Sequence, residues 1–145
     1  MSYSSQARAF TLAHMKAAGE ELPKGPQNIT LDQKVFIASM VHDEMMELME
    51  AESTVEQADA LVDAIYYICN FAERHGINLD PIYDAVHAAN MRKLVNGEVV
   101  LREDGKVLKP IGWVGPEGEI RKEIVRQIDA ANKVSEDTAR QPELF

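Results

Sequence analysis

Between Pro26 and Gly76 the chain carries neither glycine nor proline, and its apolar residues recur at helical spacing. An uninterrupted stretch of this kind folds as helix, and it can bury its apolar side within one domain only by turning back on itself. The polar triplet Glu52-Ser53-Thr54 marks where it turns. Upstream, Thr30 followed three residues later by Gln33 has the capping-box pattern and opens a helix running to about Ala51. Downstream, Ser53 or Thr54 caps a helix from Val55 to about His75, and Gly76 supplies the left-handed residue that ends it.

Weaker signals flank this pair. Ser5 to Ala18 reads as a first helix with Ala7, Phe10, Leu12 and Met15 as apolar points, closed by Gly19, and Leu22 to Asn28 reads as a loop containing Pro23, Gly25 and Pro26. Asp80 followed by Pro81 is a helix start, and the pattern continues through about Leu94. After Asn96-Gly97 come two short β-prone runs, Val99 to Leu101 and Val107-Leu108, around Asp104-Gly105, which predict a small hairpin or ordered loop. The turn-rich segment from Pro110 to Gly118 holds Trp113; a last helix is expected over Ile120 to Lys133, with a frayed tail from Ser135. The expected fold is therefore all-α, a bundle of about four to five helices with a hairpin or loop near 97–113. It forms one domain, 1–145, with its core at 31–94 and a C-terminal extension at 95–145.

Charge narrows the function. With 24 acidic residues against 15 basic ones and a net charge of −9, the chain is ill suited to nucleic acid or an anionic membrane, which call for basic patches. An anionic substrate would have to be met through a cation, as in a metal-bridged phosphate. The single cysteine, Cys69, lies in an apolar run and can form no intrachain disulfide. Neither a leader peptide nor a membrane span is evident, so a cytoplasmic protein is expected.

Helical geometry then sets the acids in place. Ile37, Val41, Met45 and Leu48 mark the apolar face of the helix from Thr30; Glu44 falls on that face and Glu47 at its edge. A carboxylate there must be protonated, paired or metal-bound, unless a slight rotation of the helix leaves both acids solvated. On the next helix Leu61, Ile65, Ile68 and Ala72 mark the interior side, and the remaining stripe is Glu56, Asp59, Asp63, Tyr66 and Asn70. That stripe reads equally as a solvated face. Antiparallel packing across the short link brings Glu44 and Glu47 opposite Glu56 and Asp59, and four hard oxygen donors suit Mg²⁺, with Mn²⁺ as a substitute. At the end of the third strong helix, Asn90 and Lys93 continue the inward face of Ile82, Val86 and Ala89, where a lysine can neutralise a phosphate oxygen or simply favour the helix dipole.

Taken together these segments resemble a family, the all-α nucleotide pyrophosphohydrolases, which include MazG-like proteins, dimeric dUTPases and phosphoribosyl-ATP pyrophosphohydrolases. The resemblance spans about Leu31 to Trp113. It rests on Asp43-Glu44-Met45-Met46-Glu47, where Asp43 replaces a frequent glutamate, and on Glu56-Gln57-Ala58-Asp59. The run Val86 to Leu94 and the segment Asp104 to Pro110 with Gly112-Trp113 are similar to later motifs of the phosphoribosyl-ATP pyrophosphohydrolase-like branch. The resemblance implies Mg²⁺ at Glu44, Glu47, Glu56 and Asp59, catalysis by Glu44 and Glu47, and substrate contacts from Asp63, Asn90 and Lys93. It also implies a homodimer or homotetramer.

The expected reaction is hydrolysis of a nucleoside triphosphate between its α and β phosphates, giving a nucleoside monophosphate and pyrophosphate. Phosphoribosyl-ATP is the alternative substrate, and an inactive nucleotide-binding protein of the same fold is the non-enzymatic alternative. A di-iron bundle, suggested by Asp84 and His87 at ligand spacing, is the other rival; it calls for Glu-x-x-His pairs where this chain has Glu47 and Asp59.

Overall fold

The computed structural model describes residues 1–140, with the side chains of the last three left aside. Among the described residues there are five helices: α1 (Tyr3–Ala17), α2 (Leu31–Glu50), α3 (Thr54–Arg74), α4 (Asp80–Met91) and α5 (Glu117–Arg140). The β-prone region forms only two isolated antiparallel bridges, Val95 with Glu98 and Leu101 with Val107. None of the described helices is long and apolar enough to cross a membrane. The chain divides into two compact units, Met1–Leu79 with Gln127–Phe145, and Asp80–Arg126.

In the first unit, α3 packs against both α1 and α2. Each of these three helices opens with a reciprocal capping box: Ser2 with Ser5, Thr30 with Gln33, and Ser53 with Glu56. The buried residues of α1 are Ser4, Ala7, Thr11 and Met15, while Phe10 and Leu12 are exposed. The hydropathy pattern had marked Phe10 and Leu12 as apolar points. The buried set is small because small side chains let two helices approach closely, and the contact with α3 is partly polar. The Thr11 hydroxyl donates to the Ala7 carbonyl at 2.7 Å and lies 3.2 Å from Asn70 Oδ1. Arg74 Nε donates to the same Asn70 oxygen, and another Arg74 nitrogen lies 2.9 Å from His14 Nδ1. Arg8 sits 3.5 Å from the buried Glu73.

The end of α3 is locked from outside. Gly76 has φ +72°, and a Cβ there would collide with the Gly25 carbonyl; a Cβ on Gly25 would in turn fall 2.7 Å from the Ala131 methyl. The Gln27 amide donates to the His75 carbonyl, and the Gln127 side chain bonds both backbone groups of Asn78. Helix α5 continues to Arg140, past the tail expected to fray from Ser135, since no glycine or proline intervenes. The remainder of that tail, 141–145, lies outside the described residues.

In the second unit, α4 stops at Met91, three residues short of the expected Leu94. Its last turn tightens into i→i−3 bonds, Lys93 N to Asn90 O and Leu94 N to Met91 O. Asn96 and Gly97, at φ 51° and 78°, then form a two-residue reversal closed by mutual hydrogen bonds between Val95 and Glu98. A second reversal uses Gly105 at φ 81°. The loop returns to α4 through the Trp113 indole N–H, which donates to the Ala89 carbonyl at 2.8 Å, and through Arg92, which donates to the Val114 carbonyl.

Candidate metal centre

A three-residue link, Ala51 to Ser53, joins α2 to α3. Counting outward from it along an antiparallel hairpin, Glu44 stands level with Ala60, so the α3 acids nearest in height are Asp59 and, one turn further, Asp63. The structure realises this register. Carboxylate oxygens of Glu44, Glu47 and Asp63 all lie within 4.8 Å of one another. Asp59 is near enough for its charge to act on Glu44.

Glu56 stands at the mouth of the link. Its Oε2 accepts from the Glu52 and Ser53 amides at 3.0 and 3.2 Å, and these two donors hold its carboxyl below the ordinary carboxylate range. That oxygen caps α3.

Glu44 is the only buried residue of α2 and is 8% exposed. Its Oε2 is fully enclosed and has no hydrogen-bond partner. Burial pushes the Glu44 carboxyl up; the charges of Glu47 and Asp63, a hydrogen bond shared with Glu47, and the charge of Asp59 push it further. An orphaned carboxylate oxygen amid like charges is costly in the free protein, and a cation removes both penalties at once. Three carboxylates are hard oxygen donors of the kind that take Mg²⁺, Mn²⁺ or Ca²⁺. The cluster contains no histidine, and Asp84 and His87 are exposed on α4, so the donor set does not match a di-iron bundle.

Asn90 and Lys93 belong to the second unit. Lys93 lies in the turn just past α4, with its Nζ donating to Asn90 Oδ1 at 3.0 Å and standing 5.0 Å from the centre of the Trp113 ring. Lys109 reaches the same ring, at 5.1 Å. The sequence places Lys109 in the motif-like segment Asp104 to Pro110 without marking a role for it. The sign of it was there in Lys109-Pro110-Ile111-Gly112-Trp113: Gly112 has φ 80° and the Trp113 amide bonds the Pro110 carbonyl, which folds the indole back toward the lysine. Tyr66, in the polar stripe of α3, packs edge-on against Phe10 at 5.9 Å.

The family model of phosphoribosyl-ATP pyrophosphohydrolase matches residues 12–90, more than half of the chain. The chain belongs to that family. The matched region contains the whole α2–α3 hairpin with Glu44, Glu47, Glu56, Asp59 and Asp63, and it ends at Asn90, before Lys93, Lys109 and Trp113. Membership in the phosphoribosyl-ATP pyrophosphohydrolase family makes this chain a pyrophosphohydrolase of a helical fold. No curated protein matches the chain.

Proposed function

We propose that the chain is a Mg²⁺-dependent nucleoside triphosphate pyrophosphohydrolase, cleaving between the α and β phosphates to yield a nucleoside monophosphate and pyrophosphate. The strongest support is the buried, unpartnered Glu44 oxygen beside Glu47 and Asp63, an arrangement that is unfavourable in the free protein and that a divalent cation relieves. Glu44, Glu47 and Asp63 would hold the ion, with Asp59 and the uncommitted Glu56 oxygen at the link side. When bound, Mg²⁺ supplies charge neutralisation at the phosphates and lowers the pKa of a coordinated water.

The protein groups divide the remaining work. Glu47, the exposed acid of the cluster, accepts the proton of the attacking water, while Glu44 and Asp63 fix the cluster from behind. Water adds to one phosphorus of the α–β bridge, the bridging P–O bond breaks, and the leaving group, pyrophosphate or the nucleoside monophosphate, takes the electron pair. Asn90 and Lys93 offer an amide and an ammonium to phosphate oxygens.

A homodimer or homotetramer accompanies this reading. Phe36 and Met49 on α2 and Leu61, Ile65 and Ile68 on α3 are between 41% and 80% exposed, more apolar surface than two helices of an isolated chain normally present to water. The location expected for such an enzyme is the cytoplasm.

The family's own name favours a second substrate, phosphoribosyl-ATP. The test is pyrophosphate release from standard, deoxy and modified nucleoside triphosphates and from phosphoribosyl-ATP, in Mg²⁺ and in EDTA, for wild type and Glu47→Gln. Release that needs Mg²⁺ and falls at least about a hundredfold in the variant supports the proposal; the best compound names the substrate. Absence of release from every compound refutes it and favours a binding protein of the same fold.

A further inference from the structure

Two lysines converge on one indole. Lys93 and Lys109 come from segments separated by the whole hairpin loop, yet both ammonium groups stand about 5 Å from the centre of the Trp113 ring. Trp113 is anchored by its bond to the Ala89 carbonyl, so the ring gives both ammonium groups a fixed reference. Among the described residues no carboxylate lies within ion-pair distance of either lysine, although acids pair with Arg8, Arg74, Arg102, Lys122 and Arg126. This happens in a chain with 24 acids.

The charge distribution sharpens the point. The second unit has eight acidic and eight basic residues, so the net charge of −9 resides in the first unit. Cation–π attraction holds each ammonium near the ring, but two positive charges at one ring repel each other. An anion long enough to reach both ammonium groups, which lie within about 10 Å of each other, converts that repulsion into attraction. Lys93 spends one proton on Asn90 and keeps others available, and Lys109 makes no hydrogen bond among the described residues.

The geometry points to a diphosphate-binding seat formed by Lys93, Lys109 and the Trp113 face, able to take the pyrophosphate moiety without a metal ion. Lys93, Lys109 and Trp113 all lie beyond residues 12–90, the region matched by the family model, so the seat is not part of that match. The choice of diphosphate over another anion rests on the pyrophosphohydrolase reading; the seat itself does not.

Trp113 is the only tryptophan, so its fluorescence reports on this place alone. The experiment titrates the full-length protein with inorganic pyrophosphate in EDTA, with inorganic phosphate at matched ionic strength and adenosine as parallel arms. The expected result is a saturable change in emission with pyrophosphate, with at least about tenfold weaker binding of phosphate and no response to adenosine. Lys109→Met weakens pyrophosphate binding about tenfold or more, the loss of one charge-assisted contact, whereas Lys109→Arg stays within about threefold of wild type. Thermal unfolding of both variants matches wild type, because Lys109 is exposed.

No saturable response to pyrophosphate, or an unchanged affinity in Lys109→Met, overturns the seat. Equal affinity for phosphate overturns the diphosphate assignment, and a response to adenosine reassigns the ring to base stacking. Because these readings are made without metal or turnover, they separate from the hydrolysis assay: binding without hydrolysis sinks the proposed activity and leaves the seat, and hydrolysis without binding does the reverse.

Discussion

Replacing Glu44 by glutamine should make the metal-free protein more stable while removing its response to Mg²⁺. The carboxylates of Glu47 and Asp63 lie within 4.8 Å of that of Glu44. Because both neighbours reach solvent, water-like screening applies, and each pair repels by about 1 kcal/mol. Glu44→Gln keeps the shape and abolishes both repulsions, a gain of about 2 kcal/mol, against which an amide with unmet hydrogen bonds costs about 1 kcal/mol. The net gain of about 1 kcal/mol corresponds to a rise of about 3 °C in Tm for a domain of this size. Wild type should instead gain about 2.7 kcal/mol from Mg²⁺ at a hundred times its Kd, and the variant should gain little. pH sharpens the assay. The Glu44 carboxyl is raised in the folded state, so the folded protein holds that proton more tightly than the unfolded chain. Its stabilising effect is complete below the unfolded pKa and is lost as pH rises through the folded value. In EDTA the advantage of the variant should therefore widen from about pH 4 to pH 7. Calorimetry across that range, with and without Mg²⁺, measures each quantity. A variant that is less stable than wild type in EDTA and still gains from Mg²⁺ would refute the reasoning.

Two further outcomes follow from the packing. Gly76→Ala forces a side chain into the left-handed region and against the Gly25 carbonyl, so it should lose about 2–4 kcal/mol in urea denaturation; loss below about 1 kcal/mol would contradict the close approach. Ile65→Glu places a charge in the exposed apolar face of α3; on the proposed assembly, light scattering should find wild type as a dimer or tetramer and the variant as single chains, while equal masses would refute a role for this face in assembly.

The helices were legible wherever a local device sets them. Thr30 with Gln33, Ser53 with Glu56, and Gly76 each act through neighbours within four residues, and α2 and α3 begin and end within about one residue of the positions read from those signals. The end of α4 was not legible in the same way, because Asn96-Gly97 marks the reversal but not the tightened turn that precedes it. On α1 hydropathy found Ala7 and Met15, which are buried, but it also marked the exposed Phe10 and Leu12 and missed Ser4 and Thr11, which close packing selects for size, a property that apolar periodicity does not register. The inward direction of Glu44 followed from its angular position. Which α3 acid stands beside it depends on the height offset across the link, and this brings Asp63 into the group with Glu44 and Glu47 while Glu56 caps the helix. Lys109 was hidden for a different reason, since its neighbour Lys93 is distant in sequence and only the turn through Gly112 joins them to one ring.

The shortness of the link between α2 and α3 bears on how the chain reaches its native state. Both halves of the acid cluster sit on a single local hairpin, the kind of contact that forms early because little loop entropy opposes it. Charge repulsion within the cluster therefore acts at the first productive encounter of the two helices rather than after the fold has closed. In a chevron plot, a divalent cation or a neutral residue at position 44 would then raise the folding arm and leave the unfolding arm nearly in place. The acids that equip this hairpin for chemistry would also set the pace at which it assembles.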